Sequence, residues 1–319
     1  AVLRENFLTK KNTRIVYTKE LPACFDGEII RNVYGYSFEL KKIENVEEVA
    51  EYNGSTILVS QQDEIGTYNL NTNIDFFINV VHVNGQADVN LGSVILVNGK
   101  QNDSYISGIQ HVRRRETIAM TPDSALIALN QLIAKPPLNL PKSDDTAATK
   151  KTVLGLIKEI TGTSSRAVIA SSGLSMQYAI VMGLIHDAME KNPGKAIRIV
   201  VPPNCYGGTN DQARRVAECI DSVEIMDLPV DKGNNMVQST DIVLDNIAAE
   251  DAIPFIIAEI PTSPRIEVPD LIKLEEVLSK KRKNANGEIA IDPVFILDQT
   301  FCPNVHFLGE EDILKTVRT

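Results

Sequence analysis

The chain has 319 residues, a length for two or three domains, with 43% apolar and 23% charged residues, the balance of an ordinary globular protein. Its net charge of −10 argues against nucleic acid or an anionic membrane as the main partner. No uninterrupted apolar run approaches the ~18 residues of a membrane-spanning helix, and Ala1–Lys10 lacks the apolar core of a signal peptide.

Residues 1–120 read as a β-rich N-terminal region. Apolar and β-branched runs stand at Ser55–Ser60, Phe76–Val83 and Val94–Val97. Asn-Gly pairs at Asn53-Gly54, Asn84-Gly85 and Asn98-Gly99 are hairpin signals, because both residues tolerate positive φ. An antiparallel meander is the expectation. Residues 121–145 read as a helix capped by Thr121-Pro122-Asp123, then a proline-rich linker over Lys135–Asp145.

From 146 onward the pattern changes. A helix over Thr146–Thr161 ends at Gly162. Apolar strands then alternate with helices. The strands are Arg166–Ala170, Ile197–Val201, Val223–Leu228, Phe255–Ile260 and Val294–Leu297. The helices are Leu174–Glu190, Thr209–Ile220, Ser239–Ala249 and Pro269–Lys281. Continuous apolar strands joined by helices mean a largely parallel α/β sheet covered on both faces. Two basic runs, Arg113–Arg115 and Lys280–Lys283, read as solvated surface, the second at a helix end. Cys24, Cys205, Cys219 and Cys302 form no CxxC pair, as expected of free thiols in a reducing, cytoplasmic compartment. The four histidines have no metal-ligand spacing, so no metal site is expected.

Ligands of such sheets bind beyond the carboxyl ends of the strands. Four of these ends stand out. Ser171-Ser172-Gly173-Leu174-Ser175 opens a helix, where free amides make an anion site, although capping alone also accounts for Ser and Gly there. Cys205-Tyr206-Gly207-Gly208-Thr209 offers an aromatic ring beside two glycines. Glu259 ends an apolar strand before Pro261 and Pro264. Asp298 ends another, within Leu297-Asp298-Gln299-Thr300-Phe301. A carboxylate in such a place needs a proton, a cation or donors.

In this order the four turns resemble the Cys/Met-metabolism family of pyridoxal phosphate enzymes, the fold type I group of cystathionine γ-synthase, cystathionine β- and γ-lyases and methionine γ-lyase. The resemblance runs from about Thr146 to Phe301. It implies that residues 146–319 are an incomplete pyridoxal 5′-phosphate-binding large domain. Gly173 and Leu174 would hold the phosphate, with Ser172 or Ser175 nearby. Tyr206 would stack on the ring, and Asp298 would pair with the pyridinium nitrogen. Thr300 would orient the cofactor, and Glu259 would be a further group of the site. Asp298 and Tyr206 are the residues expected to act in catalysis. The implied function is a lyase or transferase acting at Cβ or Cγ of a sulfur-containing or related amino acid. The implied assembly is a homodimer or homotetramer.

The chain departs from the family in several places. Ser263 stands where the family has Asn, and no Tyr-x-Arg lies near Asn139–Thr146. The first 120 residues are not the family's short arm. The Schiff-base lysine expected after Asp298 is not matched by Lys315, which sits in a charged, helical-looking segment. The expectation is a chain continuing past Thr319 that supplies this lysine and a C-terminal domain. The alternative is a non-catalytic binding or assembly protein on the same fold. A nucleotide site at Ser172-Gly173 is disfavoured by the lack of a phosphate-loop lysine.

Overall fold

A computed structural model describes residues 1–22, 25–60, 71–83, 86–116, 120–133, 145–163, 165–230, 235–263 and 265–307. The chain is α/β and forms two compact units, Ala1–Lys142 and Ser143–Thr319. No helix among the described residues is long and apolar enough to cross a membrane.

In the first unit the strands are β1 (Thr13–Tyr17), β2 (Glu39–Lys42), β3 (Ser55–Ser60), β4 (Phe76–Val83) and β5 (Gln86–Val97). The helices are α1 (Val2–Leu8), α2 (Gly27–Asn32), α3 (Ser104–Arg115) and α4 (Pro122–Leu132). The sheet order is β2-β1-β3-β4-β5. Only β4 and β5 pair antiparallel; every other pairing is parallel. The expected antiparallel meander is therefore corrected to a mixed, mostly parallel sheet.

The physical reason lies in burial on both faces. Ile15, Ile57 and Phe76 pack with Val2 and Tyr105 on one side, while Val16, Leu58 and Phe77 pack with Val49 and Ile74 on the other. A strand buried on both faces shows an unbroken apolar run, which is the mark of a parallel sheet. The Asn-Gly pairs divide accordingly. Val83 pairs with Gln86, leaving Asn84-Gly85 between the strands, but that pair lies outside the described residues. Gly99, at φ 78°, leads into the 3₁₀ turn Lys100–Asn102 ahead of α3, not into a hairpin. Gly54 immediately precedes β3, where an added Cβ would collide with the Asn12 carbonyl.

In the second unit the strands are β6 (Ile197–Val201), β7 (Val223–Asp227), β8 (Ile253–Glu259) and β9 (Val294–Asp298). The helices are α5 (Thr146–Thr161), α6 (Gly173–Lys191), α7 (Gly207–Ala217), α8 (Met236–Ala249) and α9 (Leu271–Ser279). Asp145 caps α5 through the amides of Ala147 and Ala148, and Gly162 closes it at φ 65°. All strands are parallel in the order β7-β6-β8-β9. One expected strand is absent. Residues 166–170 lie outside any ladder of the described residues, and Val168 is 68% exposed. An apolar β-branched run is a strand signal, but it becomes a strand only where a neighbour accepts its hydrogen bonds.

Val200, Ile256, Ala258 and Phe295 pack against Val243, Leu244 and Ile247 of α8 and Leu274 and Leu278 of α9. Side chains alternate along a strand. Phe255, Ile257, Glu259 and Asp298 thus occupy the opposite face, where α7 lies beside β6 and β7 and α6 beside α7.

The basic run after α9 is only partly surface. Arg282 has a side chain 7% exposed, and its guanidinium reaches Asp241 (2.5 Å) and Asp245 (2.7 Å) on α8. Hydrogen bonds from Lys280, then Arg282, hold the Asp241 carboxyl below its ordinary range. Arg282→Ala should cost about 1–3 kcal/mol in urea unfolding, less than a fully buried pair because both partners are partly exposed. The loss should be full at neutral pH. It should fade as pH falls through the depressed Asp241 value, where the wild-type carboxyl takes up its proton and the ion pair is lost.

Candidate functional site at the carboxyl edge of the second sheet

From β6 the chain moves outward to β7, then returns past β6 to β8 and on to β9. The strand order therefore reverses between β6 and β8. In open α/β sheets the crevice beyond such a reversal is where ligands bind. The residues that leave these two strands are Pro202–Tyr206 and Glu259–Ser263.

Glu259 joins the two exits. It is buried, at 4% exposure, and its Oε2 accepts the backbone N–H of Tyr206 (3.2 Å) and of Ser263 (3.1 Å). Its register partner on β9 is Asp298, so the two carboxyl groups share one face of adjacent strands. Burial, with the Asp298 charge behind it, pushes the Glu259 carboxyl above its ordinary range against the lowering pull of the two amides.

Asp298 is half-buried, and its Oδ1 accepts the amide (3.0 Å) and the hydroxyl (2.6 Å) of Thr300. Oδ2 takes no hydrogen bond from the described residues. The Thr300 hydroxyl thereby orients the Asp298 carboxyl.

The α6 turn comes next to the same edge. Ser172 and Ser175 form a reciprocal capping box: Ser172 Oγ accepts the Ser175 amide (3.1 Å) and Ser175 Oγ accepts the Ser172 amide (3.1 Å). Both hydroxyls thus serve the helix end. The amides of Gly173 and Leu174 donate no hydrogen bond within the described residues, since the first amides of a helix have no intrahelical acceptor. Two glutamines clamp α6 to α7. The Gln177 Oε1 accepts the Thr209 hydroxyl (3.0 Å), and Gln212 Nε2 donates to the Leu174 carbonyl (2.9 Å). Tyr206 is the N-cap residue of α7, and it is 52% exposed.

The contacts thus run from the α6 turn through α7 to Tyr206, Glu259 and Asp298. Each sequence-predicted residue stands on this path. Gln177, Gln212 and the Ser263 amide were not anticipated. A signal for the glutamines existed: each is a long polar side chain among the buried positions of its helix, at 9% and 1% exposure.

Gly173 and Gly207 share one further property. Nothing lies within 4 Å of a Cβ built on either, and neither has positive φ. Neither the backbone nor the packing within the chain requires glycine there. Both helix starts face open space that a side chain would fill. No family model matches the chain, and no curated protein matches it.

Cys205 reports on the charge at this edge. Burial first, and then the Glu259 carboxylate, push its thiol up to about 11. Glu259→Gln keeps a carbonyl acceptor for the two amides but removes the charge. Peptide-resolved alkylation of the native protein should show Cys205 nearly inert at neutral pH. The variant should react faster, with the Cys205 pKa moved down yet still above its ordinary value. An unchanged rate profile in the variant would remove Glu259 from the neighbourhood of this thiol.

Proposed function

We propose that the unit Ser143–Thr319 binds pyridoxal 5′-phosphate at the carboxyl edge of its sheet, as in fold type I enzymes. The observation that carries the reading is the Glu259 carboxylate drawing the Tyr206 turn and the Asp298 strand end together, with the α6 turn clamped beside them.

The residues present fit the group. The amides of Gly173 and Leu174, at the positive end of a 19-residue helix, suit a phosphate. The half-exposed Tyr206 ring offers a face to a flat heteroaromatic. The free Oδ2 of Asp298 suits a protonated ring nitrogen, since Thr300 keeps the other oxygen occupied and the carboxyl oriented. Gly173 and Gly207 leave room for close approach. When bound, the protonated ring withdraws electrons from an amino-acid substrate. The chain's own part is to anchor the phosphate, cover one ring face and hold a negative charge at the ring nitrogen.

The proposed reaction class is elimination or replacement at Cβ or Cγ of a sulfur-containing or related amino acid, in a homodimer or homotetramer. Both statements rest on the resemblance of the four turns. Residues 299–307 hold no lysine, and Lys315 lies outside the described residues. The second reading is a non-catalytic binding or assembly protein on the same fold, drawn from the first unit, which the resemblance does not cover.

Titration with pyridoxal phosphate, followed by phosphorus NMR and protein fluorescence, tests the reading. Saturable binding is expected, with pyridoxal lacking the phosphate binding much more weakly. Asp298→Asn should weaken binding about 10- to 100-fold, the worth of one charge-assisted hydrogen bond. Absence of saturation, or equal binding by the Asn variant, contradicts the proposal.

A further inference from the structure

Glu259 has a second surroundings besides the Tyr206 turn. It is a carboxylate with 4% exposure, yet no cation figures among the groups acting on it. Burying a charge without a counter-charge is costly. Its two hydrogen bonds both fall on Oε2, and Oε1 takes none from the described residues.

Glu259 also lines a cavity of about 260 Å³ in the crevice between the exits of β6 and β8. A second carboxylate, Glu267, lines the cavity, and none of its lining residues is Lys, Arg or His. Glu267 accepts a hydrogen bond from the Asn204 side-chain amide (3.1 Å) and stands 3.9 Å from Arg265, which is more than half exposed. Val230, Met236 and Val268 supply apolar wall. Two carboxylates with no lining cation repel an anion and attract a positive charge. The apolar wall asks for a hydrocarbon body beside that charge.

We infer that this cavity binds a small organic cation, a primary ammonium group on a short aliphatic chain. The ammonium donates to Glu259 Oε1, and the chain packs on Val230, Met236 and Val268. The cavity uses no residue of the α6 turn, and the inference stands whether or not pyridoxal phosphate binds there.

The test is a titration of the full 319-residue chain with n-butylammonium chloride and, separately, sodium butyrate, read by amide chemical shifts. Butylammonium should give saturable shifts at the Tyr206, Ser263 and Val268 amides, and butyrate none. Glu259→Gln should weaken butylammonium binding at least tenfold. Val268→Trp, at a position 60% exposed and so outside the core, should block the cavity without lowering the thermal midpoint. That variant decides the matter alone if the Gln variant does not fold. Pyridoxal phosphate titrated into the Trp variant should bind as it does to the wild type, which separates the two sites. Non-saturating shifts, equal shifts with butyrate, or undiminished binding in Val268→Trp would overturn the inference.

Discussion

One carboxylate organises the second unit. Glu259 ends a strand whose seven residues are all buried, and it accepts the amides of Tyr206 and Ser263 through one oxygen. A charge placed so deep is tolerated because amide dipoles are aimed at it and the start of α7 lies beside it. Burial still outweighs those donors, as the upward displacement of its carboxyl records. The site is therefore built around a group held in an unfavourable place by the fold.

The consequences follow from topology. The strand order reverses between β6 and β8, and Glu259 sits on that reversal. Its grip on Tyr206 sets where α7 begins, and the Gln177 and Gln212 clamps set α6 against α7. Two neighbouring carboxylates then take different tasks. Glu259 holds backbone, while Asp298, oriented by Thr300, keeps one oxygen free. Gly173 and Gly207 leave the space before both helix starts open.

Much of the second unit was legible in the sequence. Ile197–Val201 matches β6 residue for residue, and Thr146–Thr161 with Gly162 gives the helix and its C-cap, while the N-cap Asp145 lies in the stretch that reads as linker. The turns at Tyr206, Glu259 and Asp298 stand at strand ends as read, whereas the Ser172 turn opens α6 without a strand before it. Residues 166–170 misled, since their apolar run states a preference and pairing requires a neighbour. In the first unit the Asn-Gly pairs suggested hairpins, but Gly54 answers a close approach by Asn12 and Gly99 a turn into α3. Strand order depends on contacts distant in sequence. Asn6, which bonds Thr13 (2.7 Å) and Tyr105 (2.5 Å), shows how α1, β1 and α3 are tied by a residue with no local signature. Arg282 likewise read as surface because its partners, Asp241 and Asp245, lie about 40 residues earlier on α8.

The central claim is that one buried carboxylate binds both strand exits. Its most direct test is a pH titration of the backbone amide resonances of Tyr206 and Ser263 by proton–nitrogen correlation NMR. The account requires both amides to shift with a single common midpoint, above the ordinary glutamate range, and both to lose that transition in Glu259→Gln. Separate midpoints, or a transition that survives the substitution, would contradict it.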